Sequence, residues 1–522
     1  MMKYSYDIVI LGSGIAGITA GIMLKEQGFD VVLLTKEDNP LETATYYAQG
    51  GIIAKNKQDN CKLLKKDILI AGSYYNYQEA VELFAKEGPK LVFDFLIDKI
   101  GIEFSKTPAK ELDYTEEAAH SLRRILHYED RTGEIIQKAL CSYAQKIGLE
   151  IKSDHTAIDL ITNNHNSLDT QELYKEREVM GVYALNNSEK RVDTFFSHRV
   201  IIATGGLGNL YRHTTNLPSA TGDGMSMAHR AGADIINAEF VQFHPTSLYH
   251  RDIHRFLISE SLRGEGAVLL NHEGERFMQR YSEHMELAPR DVVARAIYDE
   301  MGRTGKEFMF LDIASGYKGD LPIKDRFPNI YNTCMEGGID ISKEPIPVVP
   351  AAHYFCGGIK ADIRGRASIK NLYAIGEIAC SGLHGANRLA STSLVEGLLW
   401  AKQAANDISD RFEKIDVNRF DKIPEWKTPG FSEEFDPLLF QQDWKVIQLT
   451  MWNYAGIIRT EKGLERAKSD LNYHAHRIFK FYKRSRLTKN IIELRNGVVN
   501  SLLIIEAALH NKKSIGCHYI KR

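Results

Sequence analysis

The run Tyr6-Asp-Ile-Val-Ile-Leu-Gly-Ser-Gly-Ile-Ala-Gly17 decides how this 522-residue chain is read. Asp7 to Leu11 is a short run of β-branched residues and leucine, the pattern of a strand buried in a parallel sheet. Gly12, Gly14 and Gly17 follow at once. Ala16 to Gln27 then reads as a helix, Gly28 closes it, and Phe29 to Thr35 reads as a second buried strand. Together they make a βαβ unit of about 30 residues with the glycine spacing of a dinucleotide site. In such a unit Gly12 permits the tight turn, Gly14 lets a pyrophosphate approach the backbone, and Gly17 lets helix and strand pack closely. The helix N-terminus offers unpaired N–H groups and the positive end of its dipole to the phosphates. A secretory signal is the competing reading of an apolar segment behind Lys3, but Asp7, the glycines and the direct run into a second strand speak against it. Simple NAD sites hang an acid from the end of the second strand to hold the ribose hydroxyls. Here that region reads Thr35-Lys36-Glu37, so the acid is displaced or absent and the nucleotide is left open.

The rest of the chain has room for two or three domains. A net charge of −2 creates no global field for nucleic acid or membrane. The basic cluster Lys480-Phe-Tyr-Lys-Arg-Ser-Arg486 reads as a solvated helix face. The six cysteines contain no Cys-x-x-Cys pair, which excludes the common zinc and iron–sulfur spacings; no metal is expected, and a reduced, cytoplasmic setting is. No apolar run beyond the nucleotide unit approaches a membrane span. Residues 60–100 show helical spacing, and residues 150–200 alternate like a meander (Glu150–Ile161, Val179–Leu185, Val192–Phe196). Arg199-Val-Ile-Ile-Ala-Thr-Gly-Gly206 reads as a further buried strand, and Asn371–Glu377 as another. A sheet fed from both ends of the chain implies an inserted domain. The expected class is α/β: a Rossmann-like domain of residues 1–240 and 353–415, an inserted α+β cap at 241–352, a Pro-, Lys- and Glu-rich linker at 416–434, and a helical domain at 435–522.

Four separated segments converge in type: Gly12–Gly17, Thr43–Gly51, Ala203–Gly206 and Tyr373–Glu377. Between and beyond them stand Tyr47-Ala-Gln-Gly-Gly51, His120-Ser-Leu-Arg-Arg-Ile-Leu126, Phe240-Val-Gln-Phe-His-Pro-Thr246, Leu262-Arg-Gly-Glu-Gly266 and Leu287-Ala-Pro-Arg-Asp291. Pro350-Ala-Ala-His-Tyr354 and His384-Gly-Ala-Asn-Arg-Leu-Ala-Ser-Thr-Ser-Leu394 complete the set. With these motifs in this order the chain resembles the flavoprotein family of succinate dehydrogenase and fumarate reductase from about residue 5 to 518, and within it the branch that oxidises L-aspartate.

The resemblance implies FAD. It assigns Gly12, Ser13, Gly14, Ile15, Ala16 and Gly17 to the pyrophosphate and Lys36 to the neighbourhood of the adenosine. Ala44, Thr45, Tyr46, Tyr47, Ala48, Gln49, Gly50 and Gly51 would wrap the isoalloxazine. Ala157, Ile158, Asp223 and Glu377 would be further contacts, Glu377 suiting a ribityl or ribose hydroxyl. Ser393 and Leu394 would open a helix (Ser393–Ala405) facing the flavin, with Ser391 or Ser393 as its cap. Membrane-complex members carry a flavin-linked histidine where this chain has Ala44, so the FAD is expected to be noncovalent.

For the substrate the resemblance names His244, Ser259, His353 and Arg388 as carboxylate-binding positions, arginine being a rigid and permanently charged fork for such groups. Arg290 matches the family's proton-transferring arginine; by itself it is a first-turn helix residue after Pro289, where a cation opposes the helix dipole. By itself His244 would be an interior histidine. Glu117 keeps the spacing of the acid that orients a substrate ammonium, with Glu116 as the alternative and a surface acid pair as the reading without the family. Relatives tend to have glycines where this chain has Ala118 and Ala119. The implied reaction is oxidation of L-aspartate to iminosuccinate with O2 or fumarate as acceptor, the first step toward quinolinate and NAD, with hand-over to a quinolinate synthase. The alternatives are a soluble fumarate reductase or succinate dehydrogenase flavoprotein, an electron-transferring subunit for an iron–sulfur partner, and a degenerate flavin-binding regulator.

Overall fold

A computed structural model describes residues 2–56, 59–117, 119–253, 256–427 and 437–521. Its centre is a seven-stranded sheet in the order Glu150–Lys152, Val31–Leu34, Lys3–Leu11, Arg191–Ile202, Val179–Asn186 and His155–Thr162, with Leu372–Ala374 paired to Arg191–Ile202. The pairings of Lys3–Leu11 on both sides are parallel, with Ile8 opposite Val31 and Arg199. The helix Ile15–Glu26 crosses between the first two strands and is buried over most of its length. It packs against the helix Ser393–Asp410, where a Cβ on Gly397 would lie 3.0 Å from Ile15.

Where the residue pattern predicts two strands, Val192–Phe196 and Arg199 onward, the structure has one 12-residue strand, Arg191–Ile202. Its first half pairs antiparallel with Val179–Asn186, and its second half pairs parallel with Leu372–Ala374. The polar residues that look like a break are satisfied by a distant segment. His198 Nδ1 accepts from the Ile415 amide at 2.9 Å, and Arg199 donates to the carbonyls of His198, Arg411 and Glu413.

The same segment corrects the linker. Ile415, Phe420 and Ile423 are buried, Phe420 stacks on Phe196 with centroids 4.8 Å apart, and Tyr183 donates to the Pro424 carbonyl at 2.7 Å. Arg419 pairs with Glu172 and Glu178. Residues 416–427 are therefore a strap packed on the meander; the remainder of the expected linker, 428–434, lies outside the described residues. The helical stretch 60–100 is also interrupted. Cys61–Ala71 and Gln78–Leu91 are separate helices joined by a turn in which Ser73 and Tyr74 take φ of 56° and 55°.

The insertion leaves and rejoins the chain through two paired strands, Val241–Leu248 and Ile346–Phe355, with His244 opposite Ala351. Met309–Asp312 and Val268–Leu270 complete a four-stranded sheet over a core of its own that includes Ile258, Leu262, Ile297 and Leu311. At the other end of the chain Thr460 and Thr488 cap the helices Glu461–Arg484 and Lys489–His510 by accepting backbone N–H bonds. Val498, Ile504 and Ile505 of the last helix share one apolar cluster with Val9, Leu11 and Val200 of the sheet. No helix among the described residues is long and apolar enough to cross a membrane, and no group of metal-ligating side chains occurs among them.

Two glycines position the site. Gly12 has φ of 108°, and a Cβ on Gly17 would lie 2.0 Å from the Gly12 carbonyl oxygen. Gly17→Ala should therefore destabilise by about 1–3 kcal/mol, the range of an overpacked core, and should lose bound flavin. Gly28→Ala meets no atom within 4 Å; its cost is the left-handed backbone alone, about 1–2 kcal/mol, with flavin retained. Thermal melts and the visible spectrum of each variant check this.

Candidate active site

One cavity of about 800 Å³ runs from the end of the first strand, past the root of the insertion, to the start of the helix Ser393–Asp410. Every residue chosen from the sequence lines it except Gly17 and Ile158. Gly17 works from behind, through the close approach just described. Ile158 is a correction: its side chain is fully buried in a separate cluster, and its carbonyl accepts from Arg230 and Arg495 at 3.0 and 2.9 Å. Its neighbours Thr156 and Ala157 form the wall instead.

At the nucleotide end the Ser13 hydroxyl donates toward Thr35 and the Pro40 carbonyl, so its proton is already committed. Thr45 accepts from the Ile15 amide at 2.9 Å, which ties the Thr43–Gly51 loop to the helix N-terminus. Lys36 lines the wall, but its ammonium is bound to Asp223, Glu493 and Thr221 at 2.6, 2.7 and 3.0 Å. Burial would strip its proton; the two carboxylates outweigh burial and keep it charged.

Further along, Gln49 Oε1 and Thr204 Oγ1 are buried without a protein partner. Buried polar atoms are ordinarily bonded, so two orphans on a cavity wall fit a ligand with its own donors and acceptors. Glu377 accepts from the Phe355 amide at 3.0 Å, and a Cβ on Gly206 would lie 2.2 Å from its carboxylate. Burial pushes its pKa up to about 7, against the Phe355 amide and the Arg388 charge. The helix cap differs from expectation. Thr392, not Ser391 or Ser393, is the N-cap, and its hydroxyl is turned to the Leu389 carbonyl. The first N–H groups of this helix therefore have no side-chain cap, as an anionic ring edge would require. The phosphate turn, the orphaned atoms and the uncapped helix fit FAD, and at Ala44 a methyl group permits no covalent link.

The substrate end gathers charge. Arg290 donates to Glu260 Oε2 at 2.5 Å, and Arg263 lies 3.2 Å from Glu260 Oε1. Burial disfavours the Arg290 charge, but Glu260 and Glu117 more than compensate and raise its pKa. Glu260 is held below the usual carboxylate range, burial being outweighed by Arg290 and Arg263. Arg388 lies 4.4 Å above the Tyr354 ring and donates to Ser393 at 3.2 Å; its Nε is buried and unpartnered. His244 and His353 stand ring to ring at 5.3 Å. Burial, with Arg290 and Arg263 around one and Arg388 around the other, lowers both well below the usual range, so both are neutral donors or acceptors. His353 Nδ1 is bonded to Thr215 at 2.7 Å, which leaves Nε2 for a ligand. Ser259 accepts from Ser261, keeping its own proton to donate.

Glu117 lines the cavity, whereas Glu116 is exposed and does not. Ser391, at φ of 57°, donates to Glu117 Oε2 at 2.8 Å. Burial raises the Glu117 pKa, while Arg290 and Ser391 oppose it. Ala119 takes φ of 68°, the backbone region that glycine favours; Ala118 lies outside the described residues. Tyr354, Thr204, Thr215 and Glu260 also belong to the wall. Glu396 sits behind it, accepting from Tyr354 and Ser381 and bonded to His384. A glutamate in a helix that reads as amphipathic gives no signal of such a role.

A family described as FAD binding domain matches residues 7–394, and one described as fumarate reductase flavoprotein C-term matches residues 444–521. The L-aspartate oxidase of Acinetobacter baylyi is 41% identical, covering 99% of this chain and 93% of that protein. The chain belongs to the L-aspartate oxidase family. Another member, from Yersinia pestis, is 41% identical over 98% of this chain and 95% of that protein. Among solved structures, E. coli quinol fumarate reductase FrdA carrying one substitution aligns with a TM-score of 0.86 at 27% identity, covering 100% of this chain and 92% of that one. An L-aspartate oxidase family chain with this FAD-binding region is a flavoprotein, and FAD is its cofactor.

Proposed function

We propose that this chain oxidises L-aspartate to iminosuccinate, and that Glu117 at the substrate end is the residue that selects an amino acid. The acid on the cavity wall carries this reading. Glu117 stands on the cavity wall within the field of Arg290 and accepts from Ser391 at 2.8 Å. The ammonium of L-aspartate gives this acid a cationic partner. Succinate and fumarate bring only carboxylates, and a carboxylate beside an unpaired acid in a buried site is costly.

In this reading Arg388, His353, His244 and Ser259 hold the two carboxylates, and Glu117 receives the ammonium. Bound FAD would supply the two-electron acceptor for the hydride that leaves Cα, while the substrate nitrogen releases its two surplus protons as the C=N bond forms. Arg290, anchored by Glu260, faces the bound substrate; with fumarate as the acceptor, Arg290 delivers the proton that accompanies hydride addition. Reoxidation by O2 yields hydrogen peroxide. The product imine is hydrolytically labile, so prompt transfer to the next enzyme, a quinolinate synthase on the route to NAD, fits its chemistry.

The alternative is a soluble fumarate reductase, favoured by the close likeness to the fumarate reductase fold. Anaerobic spectra separate the two. L-Aspartate should bleach the bound flavin and succinate should leave it oxidised; the reverse pattern would refute aspartate oxidation. Peroxide release by the isolated chain with aspartate should follow, which an electron-transferring subunit inactive alone would not give.

A further inference from the structure

The acid missing from the end of the second strand is supplied by two remote segments. Lys36, two residues beyond Val31–Leu34, has three N–H donors, and they are taken by Asp223, Glu493 and Thr221. Lys36 therefore has no donor left for a phosphate; it holds the Asp223 carboxylate at the cavity wall. Asp223 is fixed from its other side as well, since Asn496 Nδ2 donates to Oδ1 at 2.8 Å. Asn500 donates to the carbonyls of Thr221 and Gly222, both at 2.9 Å, and fixes the turn before Asp223. At the rim Lys489 pairs with Glu37 at 2.7 Å.

Lys489, Glu493, Asn496 and Asn500 recur at four, three and four residues, so they form one stripe along the helix Lys489–His510. Polar side chains on a buried helix face are costly unless bonded. This stripe is bonded to Glu37, Lys36, Thr221, Gly222 and Asp223, and Asn496 and Asn500 also accept from Arg230 and Ser226 of the helix Asp223–Ala231. In dinucleotide folds the end of the second strand is where the adenosine ribose is held.

We propose that this polar stripe, centred on Glu493, is a positioning element for the adenosine half of FAD. Asp223 would accept the ribose hydroxyl, oriented by Lys36 and Asn496, with Glu493 balancing the Lys36 charge from outside the cavity. The last helix thereby becomes part of the cofactor site, and by linkage FAD binding tightens its seat. The inference rests on FAD being the cofactor and is independent of the substrate.

The test compares FAD with FMN, which lacks the adenosine, by fluorescence titration of the full-length apoprotein. Glu493→Gln keeps the shape and removes the charge. It should weaken FAD binding about tenfold, the scale of one charged hydrogen bond, and leave FMN affinity within about twofold. Equal weakening of both flavins would mean a merely structural role, and unchanged FAD affinity no role; either overturns the inference. In the unmodified protein FAD, but not FMN, should raise hydrogen-exchange protection over 489–500, and equal protection by both would also overturn it. An unmodified protein that binds neither flavin removes the cofactor assignment and this inference together.

Discussion

Arg290→Leu should lower turnover by about a thousandfold or more, within the range for loss of a positioned proton donor together with a substrate-binding charge, while the yellow flavin complex survives. The flavin survives because the side-chain bond of Arg290 is made at the substrate end. Its Nε is bound to Glu260, and Arg263 remains beside Glu260 to hold that carboxylate in the variant. The resting site also constrains how Arg290 acts. Glu260 and Glu117 hold its proton more tightly than in water, so the guanidinium does not lose it spontaneously. Transfer to substrate requires a carbanion-like acceptor placed against Arg290 with water excluded, followed by reprotonation. Steady-state rates with aspartate and with fumarate, read beside the flavin spectrum, check this. Retained fumarate reduction would remove the proton-transfer role.

The second large effect is selective. Glu117→Gln should reduce kcat/KM for aspartate by about a hundredfold, near the upper end for one charge-assisted hydrogen bond to a buried group, and leave fumarate reduction within about threefold. The asymmetry follows from charge. Aspartate loses the partner of its ammonium, whereas fumarate gains a site with one negative charge fewer. Ser391→Ala, which removes the 2.8 Å bond to Glu117, should act in the same direction but more weakly. Parallel losses with both substrates would show that Glu117 does not read the ammonium.

Features with local causes were legible in the sequence. The βαβ unit follows from a turn glycine, a close-packing glycine and two apolar runs, all within residues 6–35. Glu117 over Glu116 needed three dimensions, because adjacent acids differ only in which one faces inward. The single strand Arg191–Ile202 was hidden because Ser197, His198 and Arg199 look like a polar break until the carbonyls and amide of residues 411–415 are set beside them. The strap after residue 415 was misread for the same reason: its composition is that of a connector, but Phe420 and Ile423 find an apolar surface more than two hundred residues away in sequence. Ile158 leaves the wall because the pairing of its strand shifts register between Ala157 and Asp159, an irregularity that the residue types do not announce. Lys36 carried a signal, as a base where an acid belongs, but the carboxylates that explain it sit at positions 223 and 493.

The strand Arg191–Ile202 also governs how the chain is made. Lys3–Leu11 leaves the ribosome ahead of both its neighbours and pairs early with Val31–Leu34 on one side only; its other partner is encoded nearly two hundred residues later. At about 5–20 residues per second, one edge of the nucleotide sheet waits on the order of 10–40 s for Arg191–Ile202. Leu372–Ala374 then completes the parallel array only after the whole insertion has been synthesised. A long apolar edge held open on that timescale is a template for wrong pairing. Nascent chains stalled before residue 202 should therefore depend on chaperones, and the released full-length chain should not.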